Sequence, residues 1–156
     1  MKTTGPIFAI CAALLTACSV SLAGDRGSPG MVLTADAIEW VPSSRVPGLG
    51  LAKIDGDAKK HGAYVYRVRF PPGRVIRAHC HPDDRSLTVL SGTWYIGWGD
   101  TYDPARLTVL PAGSFYTEPA GVPHFGATLD GEVEIQVSGS GPTAVYYVEP
   151  ALARSE

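Results

Sequence analysis

Apolar and polar residues alternate along most of this chain with a period of two, the signature of strands with one buried face. The clearest stretch is 63–70, AYVYRVRF, where Tyr64, Tyr66, Val68 and Phe70 share one face and Arg67 and Arg69 share the other. Pro71-Pro72-Gly73 ends it. Similar runs predict strands over 48–54, 74–81, 86–90, 93–98, 106–110, 114–118, 122–128, 132–138 and 144–148. A weaker first strand is predicted over 32–41, broken by PSSRVP at 42–47. The gaps carry turn residues, as in DGDAKKHG (55–62), PDD (82–84), Ser91-Gly92 and GDTYDPA (99–105). No helical stripe runs beyond about two turns. Many short strands with hairpin-length gaps predict an all-β single domain, a barrel or two-sheet jelly roll.

Composition agrees. Gly (18) and Pro (13) make up 31 of 156 residues, about one in five against an average nearer one in eight. Both weaken helix interiors. Apolar residues are 45% of the chain, enough to build a core rather than a disordered coil. The formal charge is −2, so no basic surplus is available to hold a phosphate backbone, and nucleic acid is excluded as the expected partner.

Residues 1–23 are set apart from the fold as an export signal. Met1-Lys2 is a short basic start, and the apolar run 7–15 (IFAICAALL) is too short to span a bilayer stably. Ser21-Leu22-Ala23 offers small residues for ordinary signal cleavage, while Leu15-Thr16-Ala17-Cys18 looks like a bacterial lipobox. The expected address is therefore the bacterial periplasm, either free or as a lipoprotein anchored through Cys18; the bland alternative is a buried N-terminal helix. Residues 24–45 form a tether and N-terminal strand region, 46–150 the barrel and 151–156 a tail. Cys11 leaves with the signal and Cys18 is lipidated or removed, so Cys80 has no partner of its own chain to form a disulfide.

Chemistry concentrates at three histidines. In His79-Cys80-His81 the two rings point to one side of a strand and Cys80 to the other, which makes Cys80 a packed thiol rather than a nucleophile. His124 follows the Pro- and Gly-rich turn PAGVP (119–123), which fixes where its ring points. His61 lies in a polar loop and is expected to be solvated. The three can converge on a cation, or stand as satisfied structural histidines with no metal.

Gly73, five residues, His79, one residue, His81, and later Gly92 resemble the first motif of the cupin superfamily. Gly113, five residues, Pro119, one residue, Gly121, two residues, His124 resemble the second. The resemblance implies a double-stranded β-helix, a small conical jelly-roll barrel, with a divalent metal held by His79, His81 and His124. It is broken at Arg85, where the first motif usually has a ligating Glu, and at Thr128, where the second commonly has Asn. A guanidinium cannot ligate a cation. Asp84 is one position early and a poor substitute.

The resemblance then leaves two precedents: cupin dioxygenases that hold iron(II) with three His, such as cysteine and gentisate dioxygenases, and cupins that have lost their metal and act as binders or scaffolds. Three neutral imidazoles also suit zinc, and manganese is open, so the metal is not fixed by the sequence. Glu118 sits where family strands usually carry an inward aliphatic. It could be a fourth ligand, an orienting group or base beside the site, a plain ion-pair partner of Arg85, or solvent-facing. Arg85 could point inward to hold a substrate anion, or sit exposed beside Asp83 or Asp84. Trp94, Trp98, Tyr64 and Tyr66 are expected in the core first and in a ligand wall second. The expected function is a metal-dependent enzyme acting on a small molecule, an oxygenase with iron(II) or a hydrolase or isomerase with zinc or manganese. A non-catalytic metal- or ligand-binding module and a scaffold with a vestigial cluster are the alternatives. A homodimer is compatible with all three.

Overall fold

The structure, a computed structural model, describes residues 30–148 other than Arg45 and Asp130. The chain divides into two units, and the one described here begins at Leu33. The export signal and Cys18 lipobox expected over 1–23 and the tail over 151–156 lie outside the described residues. Among the described residues no helix is long and apolar enough to cross a membrane.

Among the described residues eleven strands follow one another: β1 (Val41–Pro42), β2 (Gly50–Gly56), β3 (Gly62–Phe70), β4 (Val75–Cys80), β5 (Arg85–Ser91), β6 (Thr93–Trp98), β7 (Thr108–Pro111), β8 (Phe115–Glu118), β9 (His124–Ala127), β10 (Val133–Gly141) and β11 (Tyr146–Tyr147). They form two antiparallel sheets, ordered β1-β2-β3-β10-β5-β8 and β11-β4-β9-β6-β7. This is the all-β, two-sheet jelly roll that the alternation predicts. The weak strand over 32–41 is corrected: Ala35–Ala37 is a 3-10 turn and only Val41–Pro42 pairs with β2. All residues of 31–37 are exposed, so that stretch has no sheet face to bury.

The alternation along β3 and β10 builds the wall of the core. Val133, Ile135 and Val137 of β10 are almost fully buried and pack with Tyr64, Val68, Leu87 and Val89. Each such side chain contributes about 1.5–3 kcal/mol by leaving water. Arg67 and Arg69 lie on the opposite face, as their positions predict, and pair with Glu134 at 3.2 and 3.0 Å. Thr128, in place of the resembling motif's Asn, donates from Oγ1 to the Pro71 carbonyl at 2.6 Å and accepts from the Arg74 amide at 3.0 Å. It thus ties the β3–β4 turn to the end of β9 with hydrogen bonds of its own.

The second sheet is shaped by two glycines. Gly97 of β6 lies opposite Phe125 of β9, and Gly126 of β9 lies opposite Ile96. A Cβ at Gly97 would overlap the Phe125 ring, and one at Gly126 would overlap the Trp94 indole. Both aromatic rings are buried, so neither can swing out into solvent. Gly97→Ala is expected to destabilise the fold by about 1–3 kcal/mol through overpacking, read as a lower thermal midpoint. An unchanged midpoint would mean the Phe125 ring has room the packing does not suggest.

Candidate metal centre

Irregular pairing in β4 aims the first histidine. The β4–β9 ladder slips between Ile76 and His79, a bulge of the kind that re-aims side chains next to sites. As a result the consecutive residues Ala78 and His79 are both buried, where simple alternation would expose one. His79 pairs directly across the ladder with His124, and His124 pairs on its other side with Trp98. His81 lies one residue beyond the end of β4, where its carbonyl accepts from the Gly121 amide at 2.8 Å. The ring centroids are 4.5 Å apart for His79–His124, 4.9 Å for His79–His81 and 5.3 Å for His81–His124.

Each ring is fixed by one nitrogen. Nδ1 of His79 meets the Arg77 carbonyl at 2.8 Å, Nδ1 of His81 the Ala144 carbonyl at 2.6 Å, and Nδ1 of His124 the Val122 carbonyl at 3.0 Å. A carbonyl only accepts, so each Nδ1 carries the proton and each neutral ring keeps its lone pair on Nε2. Burial pushes all three rings toward that neutral form. His79 falls from 6.5 to about 4, through desolvation first and then the nearby His124. His81 falls further, through desolvation and then the Arg85 charge. His124 falls through desolvation, with Glu118 opposing the shift.

These donors fit a divalent cation. A ring nitrogen from each of His79, His81 and His124 lies within 4.8 Å of those of the other two, and all three residues are buried. Nε2 of His81 and of His124 has no hydrogen-bond partner, a costly arrangement for buried polar atoms unless something else satisfies them. Three neutral imidazoles are a donor set for zinc or iron(II), and their second nitrogens are held by carbonyls as metal-bound histidines usually are.

Arg85 and Glu118 are directly opposite each other in the β5–β8 register and form a buried ion pair. Arg85 is 7% and Glu118 3% exposed, which overturns both the exposed Arg85 paired with Asp83 or Asp84 and the solvent-facing Glu118. The strand register turns Arg85 inward with its Glu118 partner, while the nearby aspartates are occupied elsewhere: Asp83 accepts from the Tyr64 hydroxyl and Asp84 from the Ala120 amide at 2.8 Å. Arg85 donates from Nε and a terminal nitrogen to one oxygen of Glu118, and from its other terminal nitrogen to the Tyr66 hydroxyl at 2.9 Å. The remaining Glu118 oxygen lies 3.3 Å from Nε2 of His124, and the Arg85-bound one 3.8 Å from Nε2 of His81. Glu118 is close to two of the rings, yet it is not part of the mutually close set that the three histidines form.

These groups line one cavity of about 680 Å³ between the sheets. Its walls include Val68, Phe70, Leu87, Trp94, Ile135 and Val137, with Tyr66 and Tyr116 as hydroxyl-bearing members. Tyr116 has its hydroxyl pushed far up by burial and then by Glu118, so it stays protonated. Sequence reasoning placed Tyr66 by its parity but gave it no Arg85 partner, and it did not single out Tyr147, which stands beside His79 at 5.8 Å between ring centroids. Cys80 is half-buried with a free thiol, and His61 is exposed.

A model of the ChrR cupin-like domain family matches residues 28–144. No curated protein matches the sequence closely enough to count as a relative. Among solved structures the chain is similar to the polyketide cyclase RemF from Streptomyces resistomycificus, with 18% identity, TM-score 0.64, and 81% of this chain and 89% of that one covered. It is also similar to a sugar phosphate isomerase of the cupin superfamily from Silicibacter pomeroyi, with 22% identity, TM-score 0.57, and 75% and 81% covered. An RmlC-like cupin from Ralstonia eutropha matches with 17% identity, TM-score 0.58, and 72% and 69% covered. Likeness at these identities speaks for the fold.

Removing one member of a buried ion pair leaves the other charge stranded. Glu118→Ala is therefore expected to cost about 3–5 kcal/mol in chemical denaturation of the metal-free protein. The double variant Arg85→Met with Glu118→Leu is expected to lose less than that single one. If Glu118→Ala costs under about 1 kcal/mol, as exposed pairs do, the pair is not a buried structural element.

Proposed function

The chain belongs to the ChrR cupin-like family, and from that premise we propose that it binds one divalent metal ion through His79, His81 and His124 and acts on a small molecule held in the cavity beside them. The observation that carries this reading is the set of three buried histidines with a ring nitrogen each within 4.8 Å of the others, while every Nδ1 is engaged by a backbone carbonyl. Bound there, a divalent ion would supply Lewis-acid polarisation of an oxygen on the small molecule, and iron(II) would add oxygen chemistry. The chain's own residues supply the rest. The apolar walls exclude water, and the Tyr66 hydroxyl, held by Arg85, offers a hydrogen bond into the cavity. Glu118 stands next to His124 and His81, outside their donor set, where it can hold or accept a proton at its oxygen nearer His124. Export to the periplasm, free or lipid-anchored, is part of the proposal and rests on residues 1–23.

A second reading, a binding module without turnover, is favoured by one observation. Arg85 places two donors on a single oxygen of Glu118, which commits the cavity's carboxylate to a buried ion pair. Turnover of any small molecule by the metal-loaded protein would exclude it.

The test is calorimetric titration of chelator-treated protein with zinc, manganese and, anaerobically, iron(II). Wild type is expected to take up one ion, and His81→Ala to lose that uptake while keeping its sheet circular-dichroism spectrum. Glu118→Gln is expected to weaken uptake several-fold by removing nearby negative charge, without abolishing it. Equal uptake by wild type and His81→Ala would overturn the three-histidine assignment.

A further inference from the structure

The three histidines are not held in the same way. His79 and His124 donate from Nδ1 to the carbonyls of Arg77 and Val122, each two residues earlier in the chain. His81 donates from Nδ1 to the Ala144 carbonyl, 63 residues later, at 2.6 Å. It lies one residue past Cys80, the last of β4, and takes its ring partner from another segment. Its Nε2, the nitrogen left for a cation, has no hydrogen-bond partner. The aim of one donor in the cluster therefore depends on where residues 143–148 sit.

That segment is a strap laid along the edge of the second sheet. Among the described residues β11 pairs with β4 alone, over two rungs, Tyr146 with Cys80 and Tyr147 with His79. The Thr143 amide donates to the Ala58 carbonyl at 2.7 Å and the Val148 amide to the Ala78 carbonyl at 3.1 Å, one bond at each end. The Tyr147 ring stands beside the His79 ring, and Val145 and Tyr147 both line the cavity. Yet Val145, Tyr146, Tyr147 and Val148 are each between 42% and 56% exposed. A two-rung edge strand with so little buried side chain opens at a smaller free energy than the sheet behind it.

We infer that the strap, residues 143–148, is part of the metal centre: docked along β4 it sets His81 as a donor, and lifted away it leaves a two-histidine site. Tyr147 is then a positioning residue, acting through its contact with His79 and through the docking of the strap. This rests on the three-histidine reading above. A cation that uses His81 binds the docked form more tightly, so it holds the strap down. By the same linkage, whatever lifts the strap weakens the cation.

The experiment is hydrogen exchange read by mass spectrometry on the full chain, without and with zinc. Calorimetric zinc titration runs alongside it for wild type, His81→Ala, Val148→Pro, Tyr147→Ala, Tyr147→Phe and Val109→Pro. In wild type, zinc is expected to slow exchange over 143–148 about five-fold or more and to leave the β7 edge unchanged. In His81→Ala, exchange over the strap is expected to be faster without zinc and unmoved by it. Val148→Pro removes the amide bonded to Ala78. It is expected to weaken zinc about 10–100-fold, the range for losing a group that orients a metal ligand. Tyr147→Ala is expected to move the same way, while Tyr147→Phe, which keeps the ring, stays within about two-fold of wild type. Val109→Pro makes the same substitution on the exposed edge strand β7 of the same sheet and is expected to leave zinc affinity unchanged.

One result would overturn this inference and leave the three-histidine assignment standing: zinc bound by wild type and lost in His81→Ala, with strap exchange unmoved and Val148→Pro and Tyr147→Ala at wild-type affinity. Equal weakening by Val109→Pro and Val148→Pro would also overturn it. No zinc uptake by wild type would sink the metal assignment and the linkage together.

Discussion

Three backbone carbonyls decide what the histidines can do. Arg77, Val122 and Ala144 each present an oxygen to an Nδ1, and that single contact fixes the tautomer and the ring plane together. A histidine free to rotate could satisfy either nitrogen with water or a neighbour. Here the choice is made by backbone that the sheets already hold in place. Two of the carbonyls lie two residues before the ring they fix, on or beside the same strand. The third belongs to the segment just before β11. The site is therefore assembled by strand register, and its nitrogens are pre-aimed before any ligand arrives. The bulge in β4 and the glycines of β6 and β9 serve the same end, by letting ring-bearing strands pack closely.

The buried pair of Arg85 and Glu118 is the second constraint. The resemblance to cupin motifs places an acidic ligand at the position of Arg85. In this chain the acid stands directly opposite, on the neighbouring strand β8, and the base occupies its former place. This arrangement puts a pair of opposite charges inside the barrel and changes what the histidines face. Glu118 is engaged by Arg85 before it can serve a cation in full. The metal centre is thereby left with three neutral donors, a consequence of residue types on one rung of the sheet.

Much of this was legible in the sequence. The alternation in 63–70 gave both faces of β3, and the spacing of His79, His81 and His124 against the glycines and Pro119 gave the cluster. Those features are local, or depend only on a fold whose register is strongly set by a buried face. Arg85 was less legible. After a PDD turn, an exposed Arg beside aspartates is the ordinary outcome, and only the β5–β8 register reveals the inward partner. The bulge that buries Ala78 and His79 together breaks the period of two on which the strand was read. The stretch 32–41 departs from the strand reading because residues 31–37 are exposed with no sheet face to bury; they hold a 3-10 turn, and pairing begins only at Val41.

The central claim is that these three imidazoles are ligands. Element-resolved mass spectrometry of the full chain, purified without chelator or affinity metal, tests it most directly. The account expects one divalent ion per chain, zinc, manganese or iron, lost in parallel when His79, His81 or His124 is replaced. Protein that emerges without metal, and takes none up when iron(II), zinc and manganese are supplied, would contradict it. It would make the cluster a set of buried structural histidines.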